Sequence, residues 1–347
     1  MSEENIRSHF LGQAKACDVL GSPFTARLCR VLARTLDAST KTGRAILGWP
    51  RNARADAVAL RLCGALHALV LTGADDGLAG VYPPNDSSED QIAAVLATAI
   101  ARSDARIVAG LGNAPQTNEI ARSAMLLPGL LTVAREADLP LDLCEIGASA
   151  GLNLLFDRFH YRYGDAEWGD AASPVRLMPE VRGNLVALEG ALAVRHRVGC
   201  DIAPIDIADT AARLRVRSYV WADQTARLAR LDAALSIAEQ FAPSLVKADA
   251  ADFVEKALAR REGGSNFVLY HSVMWQYLPE PTKAAITARL ERAGSSATSR
   301  MPVAWLRMEP LAINDPFATL SLTRWPGGAT RHLARCDYHG RWIEWIG

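Results

Sequence analysis

The sequence lacks closely spaced cysteines, an excess of either charge and any long apolar run. Its six cysteines, Cys17, Cys29, Cys63, Cys144, Cys200 and Cys336, stand far apart. No two share the two-residue spacing with which a short loop presents thiolates to zinc, so no metal site is expected and buried thiols in a reducing cytoplasm are. Lysine plus arginine equal aspartate plus glutamate, 38 each. Without a general positive field to gather a polyanion, nucleic acid is not an expected partner and a small-molecule substrate is. The opening Met-Ser-Glu-Glu does not lead from a basic stretch into an apolar one. No apolar run reaches the roughly 20 residues that span a bilayer, so no membrane association is expected.

What is present is ample core material. At 347 residues, half of them apolar, the chain exceeds what one hydrophobic core usually absorbs, which predicts two parts. Up to about residue 136 apolar residues return every three or four positions, a helical pattern. Ser22 before Pro23 reads as an N-cap with a first-turn proline, and Ser88 with Gln91 has capping-box spacing. Further helices are expected over 54–71, with Gly73 beyond the end, and over 117–137, bent or broken at Pro128.

From Leu141 onward short β-rich runs at 141–146, 194–200, 245–248, 267–271 and 303–308 alternate with helical stretches at 150–157, 223–241, 251–261 and 280–293. That alternation builds a mostly parallel sheet with helices on both faces. Strands at 319–325, 330–335 and 341–345, joined by turns at Gly327-Gly328 and His339-Gly340, read as antiparallel. The expected class is α/β: an all-helical cap over 1–136, then a Rossmann-like sheet over 137–347 with an insertion at about 157–190.

The most informative stretch is Leu-Asp-Leu-Cys-Glu-Ile-Gly-Ala-Ser-Ala-Gly-Leu-Asn, residues 141–153. It reads as a strand, a sharp turn from Gly147 through Ala148 and Ser149 to Gly151, then a helix containing Asn153. Glycine admits a ligand close to the backbone, and a helix start offers amide donors. Glu145 at the strand's end can accept from an ammonium or hydroxyl group. This acid-x-Gly-x-x-x-Gly order is similar to the first motif of class I S-adenosylmethionine-dependent methyltransferases. The same residues spell Gly-x-Ser-x-Gly, the nucleophile elbow of α/β-hydrolases. That alternative needs Ser149 to meet a later acid and histidine, for which Asp249 with His332 or His339 has the right order. A third alternative is a tight turn that binds nothing.

A nucleoside pocket also asks for an acid at the end of the second strand, where Asp201 stands with Asp206 as fallback. A further acid is expected after the third strand, where Asp249 precedes the small Ala250. The fourth strand leads into Leu-Tyr-His-Ser-Val-Met-Trp-Gln-Tyr-Leu-Pro, 269–279. There His271, Gln276 and Tyr277 are candidate catalytic residues, and His271 also borders the cofactor. Each carboxylate alone reads equally as a helix N-cap or a solvated surface group, and His271 reads more readily as a hydrogen-bonded histidine at the end of a buried strand. The basic-aromatic run from Asp157 suits a substrate lid or an edge hairpin, and Asn118 and Arg122 fall where they could face the pocket.

Together the runs Glu-Ile-Gly-Ala-Ser-Ala-Gly-Leu-Asn-Leu-Leu, Thr-Asn-Glu-Ile-Ala-Arg-Ser and His-Ser-Val-Met-Trp-Gln-Tyr-Leu resemble a bacterial family of uncharacterised proteins, domain of unknown function 2332. The resemblance spans nearly the whole chain and implies a methyltransferase-like sheet behind a helical region, without an established reaction. Ser149 at a position where such methyltransferases usually carry glycine, and the long gap to Asp201, depart from the ordinary pattern.

Overall fold

The computed structural model describes residues 2–116, 118–184, 188–312 and 314–347. Thr117, the expected start of one helix, and residues 185–187 of the expected insertion lie outside them. The chain divides into two units, Met1–Thr117 with Ala208–Ala229, and Asn118–Ile207 with Arg230–Gly347.

The first unit is helical. Numbered along the whole chain, it holds α1 (Glu3–Val19), α2 (Pro23–Thr35), α3 (Lys41–Leu47), α4 (Val58–Leu71), α5 (Asp76–Ala79), α6 (Glu89–Arg102), α7 (Asp104–Leu111) and, from a later stretch, α9 (Thr210–Ser218). Local chemistry sets several of the starts. Both halves of the Ser88–Gln91 capping box form, and the Thr40 and Asp75 side chains accept the amides of Gly43 and Leu78. Ser22 precedes α2 as expected, but its hydroxyl turns to Thr25 and Asp223 instead of a helix amide. Phe10, Phe24, Leu32, Leu62, Leu66 and Ile107 belong to one apolar core.

The second unit is built on a nine-stranded, mostly parallel sheet with a three-stranded satellite. Its strands are β1 (Leu141–Ile146), β2 (His160–Tyr163), β3 (Ala166–Gly169), β4 (Arg176–Leu177), β5 (Glu180–Gly183), β6 (Val194–Asp201), β7 (Leu245–Lys247), β8 (Asn266–Ser272), β9 (Val303–Glu309), β10 (Ala318–Trp325), β11 (Thr330–Cys336) and β12 (Trp342–Trp345). The large sheet runs β5-β12-β11-β10-β9-β8-β1-β6-β7. Strands β7, β6, β1, β8 and β9 are parallel neighbours, and β9 through β12 follow antiparallel, as the C-terminal turns predict. Because the chain moves from β1 to β6 on one side and later to β8 on the other, the strand order reverses at β1. In open α/β sheets the carboxyl ends at such a switch point form a crevice.

The region 157–190 forms the hairpin β2–β3 with β4 alongside, while β5 leaves to pair with β12. The remaining helices are α8 (Ser123–Ala137), α10 (Thr225–Gln240), α11 (Ala250–Ala259) and α12 (Glu280–Ser295). Of the expected bend or break at Pro128 the break does not occur, and α8 continues through the proline. A proline there orphans the carbonyl four residues back, that of Ala124, and the Tyr163 hydroxyl donates to that oxygen at 2.5 Å. All six cysteines are buried free thiols. Among the described residues no helix is long and apolar enough to cross a membrane.

Helix α8 lies close on the sheet at Gly129, where an added Cβ would stand 2.7 Å from a methyl of Leu306 and 3.2 Å from one of Leu320. Alanine for glycine inside a helix ordinarily stabilises by about 0.5–1 kcal/mol. Here both leucines are fully buried, and the overpacked core reverses the sign. Gly129→Ala is predicted to destabilise the fold by about 1–3 kcal/mol, read from the urea midpoint.

Candidate functional site

The turn after β1 sits at the switch point and departs from relaxed backbone. Gly147 is exposed with φ +67, and Ser149 holds φ +54. The four non-glycine residues with positive φ among those described are Ala57 and Asp138, at helix ends, and Ser149 and Val273, which follow β1 and β8. Such backbone costs about 1–3 kcal/mol per residue and persists only where neighbours enforce it. Both sides of the switch point therefore carry strained turns.

The expected amide cradle takes a different form. The α-helix expected over 150–157 is a 3-10 helix, Leu152–Arg158, with non-helical backbone at Leu155. Ala148 N–H donates to the Cys200 carbonyl at 3.0 Å, Ser149 N–H to Asp201 Oδ2 at 3.0 Å, and Leu152 N–H to Asn118 Oδ1 at 3.0 Å. Buried amides require partners, and the protein supplies them internally, so recognition here falls to side chains. Gly151 serves packing, because Leu245 and Pro243 fill the space a Cβ would take. At Gly147 a Cβ would meet the Met274 side chain at 2.9 Å.

The acids stand as the strand ends predict. Glu145, in β1, is 2% exposed and receives the Tyr270 hydroxyl at 3.3 Å. Among the described residues no ion pair compensates it; burial pushes its carboxyl up to about 8, against the opposing pull of that hydroxyl and of the Arg122 charge. Asp201 ends β6 half-buried, with Oδ2 on the Ser149 amide and Oδ1 on the Ala203 amide at 2.9 Å. Asp249 follows β7, exposed, and caps α11 through the Ala251 and Asp252 amides, with Ala250 as the first helical residue. Asp206 is exposed beyond the strand end. After β1, Ser149 Oγ in the turn and Asn153 Oδ1 in the 3-10 helix are buried without a hydrogen-bond partner among the described residues. Buried acceptors in this condition cost free energy until a donor arrives. Asn118 is tied to the loop, and Arg122 donates to the carbonyls of Tyr338 and Ser272.

His271 is held rather than exposed. The ring is fully buried, its Nδ1 lies 2.7 Å from Glu309 Oε1, and its Nε2 lies 3.1 Å from Trp305 Nε1. An indole N–H only donates, so Nε2 accepts and the ring proton sits on Nδ1, facing the carboxylate. The lone pair a general base would use is occupied. The same Glu309 oxygen accepts the Met274 and Trp275 amides at 3.0 and 3.3 Å, and Trp275 stacks on the His271 ring. This grip fixes the turn through Val273. Gln276 and Tyr277, in the 3-10 turn Trp275–Tyr277, are exposed, Tyr277 at 77%. Glu309 and Trp305 were not singled out in the sequence, although Glu309 is the last residue of its strand just as Asp201 is of β6.

The triad of the hydrolase alternative is not assembled. Ser149 Oγ meets no histidine, His332 bonds Ser321, and His339 stands nearest Glu119. Among the described residues no three His, Cys, Asp or Glu side chains converge as metal ligands. The family model described as "Uncharacterized protein conserved in bacteria (DUF2332)" matches residues 7–345. No curated protein and no solved structure matches the chain.

The Glu145 carboxyl generates a pH prediction. Its folded pKa of about 8 lies above the ordinary 4.5, so the folded state binds the proton more tightly. The stability this confers is full below pH 4.5, declines as pH rises and is lost above 8. Glu145→Gln stays neutral throughout. Chemical denaturation from pH 5 to 9 is expected to show the variant gaining on the parent as pH rises, with the gap widest above pH 8.

Proposed function

The chain belongs to this bacterial family, and from that premise we propose that it binds S-adenosylmethionine at the carboxyl edge of β1, β6 and β7 and serves methyl transfer to a small or medium-sized acceptor. The observation that carries this reading is Glu145, a carboxyl buried without a cation beside an exposed glycine turn at the switch point. An ammonium group is the chemistry that relieves it, and an amino-acid-bearing nucleoside brings one. The unpartnered Ser149 Oγ and Asn153 Oδ1 ask for donors in the same loop. The order β7-β6-β1-β8-β9 is that of doubly wound dinucleotide folds, which supports a nucleoside across the same edge.

In this reading Glu145 takes the amino group and Gly147, Ala148 and Ser149 form the turn beneath it. A carboxylate has about four lone-pair sites, so Asp201 can receive ribose hydroxyls while keeping its two amides. Asp249 and Ala250 border the base. The bound group supplies an electrophilic methyl on a sulfonium. Displacement there is in line and rests on alignment and exclusion of water more than on a base. His271, its lone pair engaged, acts as a positioning residue that sets the 273–277 turn. Gln276 and Tyr277, exposed on that turn, meet the acceptor in this reading.

Calorimetric titration with S-adenosylhomocysteine tests this. Micromolar binding is expected, weakened at least about tenfold in Asp201→Ala and in Glu145→Gln, with a serine-directed fluorophosphonate leaving the protein unlabelled. No heat at millimolar ligand overturns the reading.

A further inference from the structure

The helical unit carries a concavity of its own. A cleft of about 150 Å³ opens among α4, α7 and α9, lined by the small residues Ala65, Ala68 and Gly110 and by the two cationic residues Arg106 and Arg215. Elsewhere in this unit Arg30, Arg51 and Arg102 each hold a carboxylate. In the cleft, among the described residues, Arg106 donates to the Thr72 hydroxyl at 3.0 Å and Arg215 to Asn113 Oδ1 at 3.4 Å. Among the described residues neither guanidinium has a carboxylate partner. Arg215 is half-buried and is steadied from behind, because Asn113 also accepts the Tyr219 hydroxyl on its carbonyl at 2.9 Å.

We propose that this cleft is a phosphate site, taking the phosphoryl head of a small phosphate monoester. Two guanidinium groups on separate helices present forked donors and two positive charges to one dianion. Arginine is suited to this pairing because its planar donors match phosphate oxygens two at a time. Gly110 lets α7 pack directly on Ala65 of α4, so the anion is taken at the open mouth of the cleft beside the two arginines. Pockets that engulf whole drug-sized ligands run to roughly 300–1,000 Å³. A cleft of 150 Å³ holds a head group and leaves the remainder of the molecule toward solvent. The chain has no net charge, so attraction here is local to these two residues. The site stands apart from the proposed methyl-transfer reading and does not depend on it.

Phosphorus NMR titration of the full chain, with inorganic phosphate and with glycerol 3-phosphate, tests the proposal at low ionic strength. Saturable binding is expected, weaker in added salt, reduced about tenfold by Arg106→Gln or Arg215→Gln and lost in the double variant. Tighter binding of the ester identifies an organic phosphate as the source. Arg215→Lys keeps the charge without the fork, and weaker binding at an unchanged melting temperature supports the forked contact even if Arg215→Gln unfolds. Absence of saturation, unchanged binding in the double variant, or acetate competing as well as phosphate overturns the proposal.

Discussion

Taking the Glu145 carboxyl out of water is the constraint from which the site in the sheet unit follows. A central parallel strand is covered on both faces and ordinarily reads as a continuous apolar run. Leu141, Leu143, Cys144 and Ile146 obey that rule; Asp142 departs from it but is paired with Arg195, whereas Glu145 is buried. Its register partner on β8, Tyr270, supplies a hydroxyl, and Arg122 supplies charge at longer range. Neither neutralises the acid, which keeps its proton near neutrality. A group this costly to bury, at the end of the strand where the topology reverses, leaves unmet electrostatic demand at the place where α/β sheets collect ligands.

Glu309 performs the complementary task on the neighbouring strands. One of its oxygens gathers the His271 ring and two successive backbone amides. That fan of donors explains how Val273, a β-branched residue, is kept at φ +52. It also explains why His271 is not available as a base: the histidine, Trp305 and Glu309 form a chain of donors and acceptors whose product is a fixed turn.

Sequence and structure agree where structure is locally encoded. The Ser88–Gln91 box, the strand at 141–146 and the acid ending β6 all follow from short-range chemistry or from period-dependent burial, so each was legible. What was not legible shares a cause. The Tyr163 hydroxyl that takes the Ala124 carbonyl orphaned by Pro128 is contributed from 39 residues away. The 3-10 character of Leu152–Arg158 and the internal use of the loop amides depend on Asn118 and Asp201, distant in sequence. Strand β5 finds β12 across most of the unit, and no local pattern announces such an edge pairing.

By itself the sequence determined the helical and α/β halves, the order of strand ends and the acids standing on them, because periodicity and chain direction are properties of contiguous residues. Only the tertiary structure decided which polar groups are already satisfied. It engaged the loop amides, closed His271 between Glu309 and Trp305, gave Glu145 a hydroxyl but, among the described residues, no ion pair, and left Ser149 Oγ and Asn153 Oδ1 without a partner there. Hydrogen-bond satisfaction is a property of atoms brought together from separate segments. It is therefore decided when the segments pack, and not before.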